Sequence, residues 1–187
     1  MQKRRLGTSG PETSALGIGA MSFGPFYGPT TVEDSFGVLD AAMELGQLHR
    51  SDIIIGADNA LPPAAHPDHW AGQPGVRAPH LPIEWKRREL STIDLFTTGF
   101  TLITEAPVWA DIARQVSIAL GVPLTALVVG QDVTIHGDIS FAAAYGTGTA
   151  GASLVRPDGI ISWHTAELLV ENVAEFSEIV RQVAAVP

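Results

Sequence analysis

The clearest periodicity lies near the C-terminal end. Leu169, Val173, Phe176, Val180 and Val183 recur at helical spacing, with Glu171, Glu175, Glu178 and Arg181 largely on the other side. An apolar stripe about 100° wide marks a helix packed on a core. Trp109, Ile112, Val116 and Leu120 form a second stripe, and Gly121 and Pro123 end that helix. Phe100-Thr101-Leu102-Ile103 predicts a strand before it. The unbroken apolar run Ala126-Leu127-Val128-Val129 predicts a strand buried on both faces after it. Ala152-Ser153-Leu154-Val155 and Ile160-Ile161-Ser162-Trp163 flank the turn signal Pro157-Asp158-Gly159 and predict a hairpin. Residues 91–187 thus read as an α/β domain in the order strand, helix, strand, hairpin, helix. A right-handed crossover sets the first helix on one face of a mixed sheet, and the last helix also packs on it.

The rest of the chain has a different rhythm. Gly7 to Gly10 supply a turn, and Ala15 to Met21 are small and apolar enough for a buried strand. Thr31 is placed to cap a helix, with Asp34 in its first turn. Val32, Phe36, Leu39, Ala42 and Met43 continue that helix, and Gly46 stops it. Residues 1–47 therefore read as a hairpin-strand-helix arm. Residues 48–90 are rich in Pro, Gly, Ala and His and read as an extended linker. Asp52-Ile53-Ile54-Ile55-Gly56 is its one candidate strand. Prolines at 62, 63, 67, 74, 79 and 82 exclude regular structure from Leu61 to Pro82.

Composition narrows the functional classes. Eleven Lys and Arg against 20 Asp and Glu give a net charge of −9, which argues against a nucleic-acid or anionic-membrane partner. The clusters Lys3-Arg4-Arg5 and Lys86-Arg87-Arg88 are too short to reverse this, and read as solvated edges. The absence of cysteine excludes disulfides, thiolate metal sites and thiol redox chemistry. Gly10, Pro11 and Glu12 interrupt the region where a signal peptide needs an apolar run. No apolar run approaches the roughly 18 residues of a membrane span. A soluble cytoplasmic protein is expected. At 187 residues the chain is too short for a full β/α barrel, which takes about 250.

Candidate chemistry is sparse. Gly146-Thr147-Gly148-Thr149-Ala150-Gly151 spells Gly-x-Gly-x-x-Gly, but a dinucleotide loop must follow a strand and open a helix. Here it precedes a strand, so a bulged approach to that strand is the expectation. Ser91, Asp94 and His80 supply the residue types of a nucleophilic triad, which only geometry identifies. Asp94 is expected to cap or bond a turn. Arg77 and His80 are expected to anchor the extended segment to the domain. Arg156 and Asp158 flank Pro157 and are expected to bond locally at the hairpin tip. Trp163 is expected in the core or at an interface. His66 and His69 sit three apart, but Pro67 separates them and no third ligand is placed. No catalytic, cofactor-binding or metal-binding residue is assigned.

Three motifs in order carry a family resemblance: Pro74-Gly75-Val76-Arg77-Ala78-Pro79-His80, Ser91-Thr92-Ile93-Asp94-Leu95-Phe96, and Leu154-Val155-Arg156-Pro157-Asp158-Gly159-Ile160-Ile161-Ser162-Trp163. Over about 50–187 the chain resembles the C-terminal domain of FAD-dependent aromatic-ring hydroxylases of the phenol- and polyketide-hydroxylase type. That resemblance implies a thioredoxin-like fold without redox cysteines. The complete relatives use FAD and NAD(P)H to place one oxygen atom of O₂ on an aromatic ring, with the flavin held by an N-terminal domain. The implied role is therefore an accessory one, in interaction or dimerisation, with its own copy or a flavin hydroxylase chain as partner. No cofactor is expected on this chain alone. Arg4-Arg5-Leu6-Gly7-Thr8-Ser9-Gly10 and Ser14-Ala15-Leu16-Gly17-Ile18-Gly19-Ala20-Met21 resemble the start of an aldo-keto reductase. That resemblance stops at Gln47-Leu48-His49-Arg50-Ser51, and none of that family's catalytic tetrad carries over. Its alternative implication is an NADPH-dependent oxidoreductase derived from that arm.

Overall fold

A computed structural model of the chain describes residues 3–5, 12–14, 31, 46–58, 60, 64–65, 72–169 and 172–186. Two units divide the chain, Met1–Glu44 and Leu45–Pro187. In the first, β1 (Lys3–Arg5) and β2 (Glu12–Ser14) pair antiparallel with Lys3 opposite Ser14, the hairpin expected around Gly7 to Gly10. The strand and helix expected over 15–45 lie outside the described residues, as do His66 and His69.

The second unit begins with β3 (Gly46–Gln47), paired with β4 (Ala64–Ala65). Next come β5 (Pro82–Trp85), β6 (Arg88–Ser91) and a 3₁₀ turn over Thr92–Leu95. Then follow β7 (Phe100–Thr104), α1 (Val108–Leu120), β8 (Leu124–Val128), β9 (Val133–Ile135) and α2 (Phe141–Tyr145). The chain closes with β10 (Ala152–Val155), β11 (Ile161–Thr165) and α3 (Asn172–Ala184). The main sheet runs β11-β10-β7-β8, with β7 and β8 parallel and the other neighbours antiparallel. This is the thioredoxin-like mixed sheet flanked by helices that the residue pattern predicts. A smaller sheet runs β6-β5-β9.

Alternation along the strands divides the core into two layers. Leu102 and Leu154 point towards α1 and α3, where Trp109, Ile112, Phe176 and Val180 meet them. Ile103 and Val155 point to the opposite face, under Phe141 and Tyr145 of α2. Trp109, Trp163 and Phe176 form the centre of the first layer, with centroids 5.5 to 5.8 Å apart and ring planes inclined by 46° to 74°. Edge-to-face and tilted pairs of this kind add about 0.5–1.5 kcal/mol each beyond area burial. Trp109 is fully buried and its indole N–H donates to the Ala150 carbonyl at 3.0 Å.

Several sequence expectations are corrected. Asp52–Gly56 is a turn, closed by Ile54 N–H to the Ser51 carbonyl, with Gly56 at φ +80°. Only Ile55 bonds the sheet, through its N–H to Ser162. The 48–90 stretch, read as an extended linker, contributes to the core. Leu48, Ile54, Val76, Ala78, Leu81 and Ile83 are buried, and β5 and most of β6 lie within it. Pro82 is tolerated because it is the first residue of β5. The run at 126–129 falls at the end of the edge strand β8: Leu127 and Val128 are buried, but Ala126 and Val129 are only partly so. Leu169, which opens the stripe of the last helix, lies outside α3 (Asn172–Ala184).

Candidate functional site

The 75–81 segment is stitched to the hairpin and to the 3₁₀ turn. Gly75 N–H donates to Ile161 at 2.8 Å, Ile161 N–H to Val76 at 2.9 Å, and Ala78 N–H to Gly159 at 2.8 Å. Arg77 forms an isolated bridge with Ile160, and its side chain stays exposed beside Gly159. The bridge places Arg77 at the same hairpin tip as Arg156 and Asp158. Arg156 and Asp158 pair at 2.6 Å, and Asp158 also accepts from Ile160 N–H at 3.1 Å. The pair is partly exposed, so it fixes the turn locally and contributes little to stability.

His80, Ser91 and Asp94 also meet, but not as a triad. His80 Nδ1 lies 2.5 Å from Ser91 Oγ. Ser91 Oγ accepts from Ile93 N–H at 3.2 Å, and Asp94 accepts from Ser91 N–H at 2.9 Å. This is a capping box around the 3₁₀ turn. A nucleophilic triad needs the carboxylate on the imidazole, holding it as a base. Here the carboxylate is on the serine backbone, so the group builds a turn and tethers His80 to it.

Thr92, the residue after the cap, is the inner anchor that sequence reasoning missed. Its hydroxyl donates to the Pro79 carbonyl at 2.7 Å and accepts from Leu81 N–H at 2.9 Å. Tyr145 donates to the same Pro79 carbonyl at 3.1 Å. Burial pushes the Tyr145 phenol well above its usual range, only partly offset by its hydrogen bonding with Thr92, so it stays protonated. A threonine beside a capping serine gives no sequence signal for this, because its partner lies 13 residues back in an irregular segment. Trp163 lies in the core beside Trp109 and Phe176.

The glycine-rich loop does not fit a flavin pyrophosphate. Gly146 closes α2 at φ +64°, 147–150 turn, and β10 follows where a helix would have to begin. Gly151 is packed on main chain. A Cβ there would lie 2.7 Å from the Thr165 carbonyl carbon and collide with the Thr147 carbonyl oxygen. Among the described residues, no three His, Asp or Glu side chains gather as a metal would need. No described helix is long and apolar enough to cross a membrane.

Comparisons agree with this architecture. The family model for the C-terminal region of aromatic-ring hydroxylases matches residues 71–187. A 4-methyl-5-nitrocatechol 5-monooxygenase of Burkholderia sp is 37% identical over 152 residues, covering 77% of this chain and 28% of the relative. An aklavinone 12-hydroxylase of Streptomyces purpurascens is 37% identical over 141 residues, covering 74% and 26%. Among solved structures, an aklavinone-11 hydroxylase in complex with FAD and aklavinone superposes with a TM-score of 0.69 at 37% identity, over 74% of this chain and 26% of that one. The chain spans about a quarter of the length of the curated relatives it matches. With the family match covering most of its length, the chain belongs to the C-terminal region family of aromatic-ring hydroxylases.

Proposed function

We propose that this chain is an accessory thioredoxin-like domain of FAD-dependent aromatic-ring hydroxylation, acting by interaction and supplying no reacting group. The observation that carries the reading is the confinement of the family match to the C-terminal region, 71–187. The capping-box geometry of Ser91 and Asp94 and the closed packing of Gly151 support it. Its partner is a second copy or a flavin hydroxylase chain. The flavin chemistry, with NAD(P)H as reductant and an aromatic ring as acceptor, then resides in the domain that binds the cofactor. The reductase reading of residues 1–47 gains nothing from these relatives, and the family match begins at residue 71.

Pure protein with added FAD, NADPH and a phenol is expected to oxidise NADPH no faster than the same mixture without protein. Phenol-stimulated loss of NADPH absorbance that scales with protein would overturn the accessory role.

A further inference from the structure

β8 ends the main sheet, and no strand lies beside its outer side among the described residues. Phe100 N–H donates to the Pro123 carbonyl and Val129 N–H to that of Thr104. In a parallel pair every second residue of a strand faces its neighbour, so the odd-numbered residues from 123 to 129 bond β7. Leu124, Ala126 and Val128 therefore turn their main-chain groups outward. The following turn closes Val128: its N–H donates to the Asp132 carboxylate at 2.8 Å, and its carbonyl accepts from Asp132 N–H at 2.8 Å. Leu124 and Ala126 keep both groups open, with no partner for them among the described residues. Free edges are ordinarily blunted by a charge, a proline or a bulge, and the run Leu124–Val128 contains none of these.

Ala126 lines a cleft of about 520 Å³ together with Glu84, Trp85 and Lys86 of the β5–β6 hairpin. Trp85 is half-buried, with Lys86 Nζ 4.1 Å from its ring centroid and Arg88 directly opposite it on β6. Lys86, Arg87 and Arg88 are exposed, and none pairs with a carboxylate among the described residues. Three adjacent cations without a counter-charge make a local positive field on a chain of net charge −9. Glu84 and Asp132 also line the cleft, so carboxylates suit an occupant only at the end that reaches this tip.

We infer that this cleft takes an extended segment of a partner polypeptide, acidic at one end, which adds to β8 as a fifth strand of the main sheet. Main-chain bonds to Leu124 and Ala126 hold the segment. Lys86, Arg87 and Arg88 select its acidic end, and the Trp85 ring offers it apolar surface. Strand addition divides the work in this way, with the backbone giving affinity and the flanking groups giving choice. The inference rests on the interaction reading above but fails separately, because that reading is tested by NADPH oxidation and FAD binding.

Fluorescence anisotropy of a labelled Glu-Glu-Val-Thr-Val-Thr peptide titrated with the full chain tests this, with Lys-Lys-Val-Thr-Val-Thr as the counter-probe. The acidic peptide should bind more tightly, and the preference should vanish when Lys86→Gln, Arg87→Gln and Arg88→Gln are combined. Ala126→Pro should weaken binding by roughly fivefold or more, the worth of one hydrogen bond. That proline removes an outward N–H and spares the β7 ladder, where an edge strand tolerates it. Hydrogen exchange needs no variant: the Ala126 amide should be slowed by the acidic peptide. No binding at millimolar peptide, no preference between the two peptides, or an Ala126 amide left unprotected overturns the assignment. So does binding that Ala126→Pro leaves unchanged. A dimer of the free protein that Ala126→Pro converts to monomer also overturns it, because the edge then pairs with a second copy.

Discussion

Trp109→Ala is expected to remove about 3–5 kcal/mol of stability, the range for truncating a large buried aromatic. Domains of this kind hold about 5–15 kcal/mol in total, so the variant would be folded only marginally. Trp109 is completely enclosed and meets both Trp163 and Phe176, so its loss opens a cavity where α1, α3 and the sheet converge. It also strands the Ala150 carbonyl, which receives the indole N–H. Because that carbonyl belongs to the loop leading into β10, the damage reaches the hairpin as well as the helices. Urea unfolding should show a lower midpoint with an unchanged slope. A loss below about 1 kcal/mol would mean that the three rings are not the centre of the core.

Gly151→Ala is expected to cost about 3 kcal/mol or more, at or above the upper end of ordinary overpacking. The reason is the identity of what a methyl group would strike: the carbonyls of Thr165 and Thr147 are main chain and cannot rotate away. Moving either would disturb β10 and its bond from Thr104 Oγ1 to the Gly151 carbonyl at 2.7 Å. Gly148→Ala is the control. It shares the motif, and its new Cβ would meet one atom at 3.3 Å, at a position already strained by φ +57°. The thermal midpoint should fall further for Gly151→Ala than for Gly148→Ala. The reverse order would mean that the third glycine is not retained for close packing.

Much of the fold was legible because its elements obey one period each. The stripe from Trp109 to Val116 is buried along one side of α1, and Phe176, Val180 and Val183 do the same for α3. Pro157-Asp158-Gly159 marked the β10–β11 turn, where Gly159 takes φ +81°. The β5–β6 hairpin was not legible. Its two-residue loop is Lys86-Arg87, at φ +51° and +62°, where Asn-Gly is the usual signal. Such conformations in non-glycine residues cost of order 1–3 kcal/mol each, so propensity argues against the turn that forms. Tertiary pairing overrides it: Ile83 is buried, β9 adds to β5, and Lys86 Nζ lies 4.1 Å from the Trp85 ring centroid. Among the candidate residues, Asp94 announced its cap through the spacing from Ser91. Thr92 could not announce itself, because it matters only through a partner that folding brings to it.

The most direct test of the accessory role is the thermal unfolding midpoint of the pure protein with and without FAD. A ligand that binds only the folded state raises stability by RT ln(1 + [L]/Kd), about 2.7 kcal/mol at a hundredfold excess over Kd. The account predicts no shift. A rise of several degrees that saturates with FAD would contradict it and place a flavin site on this chain.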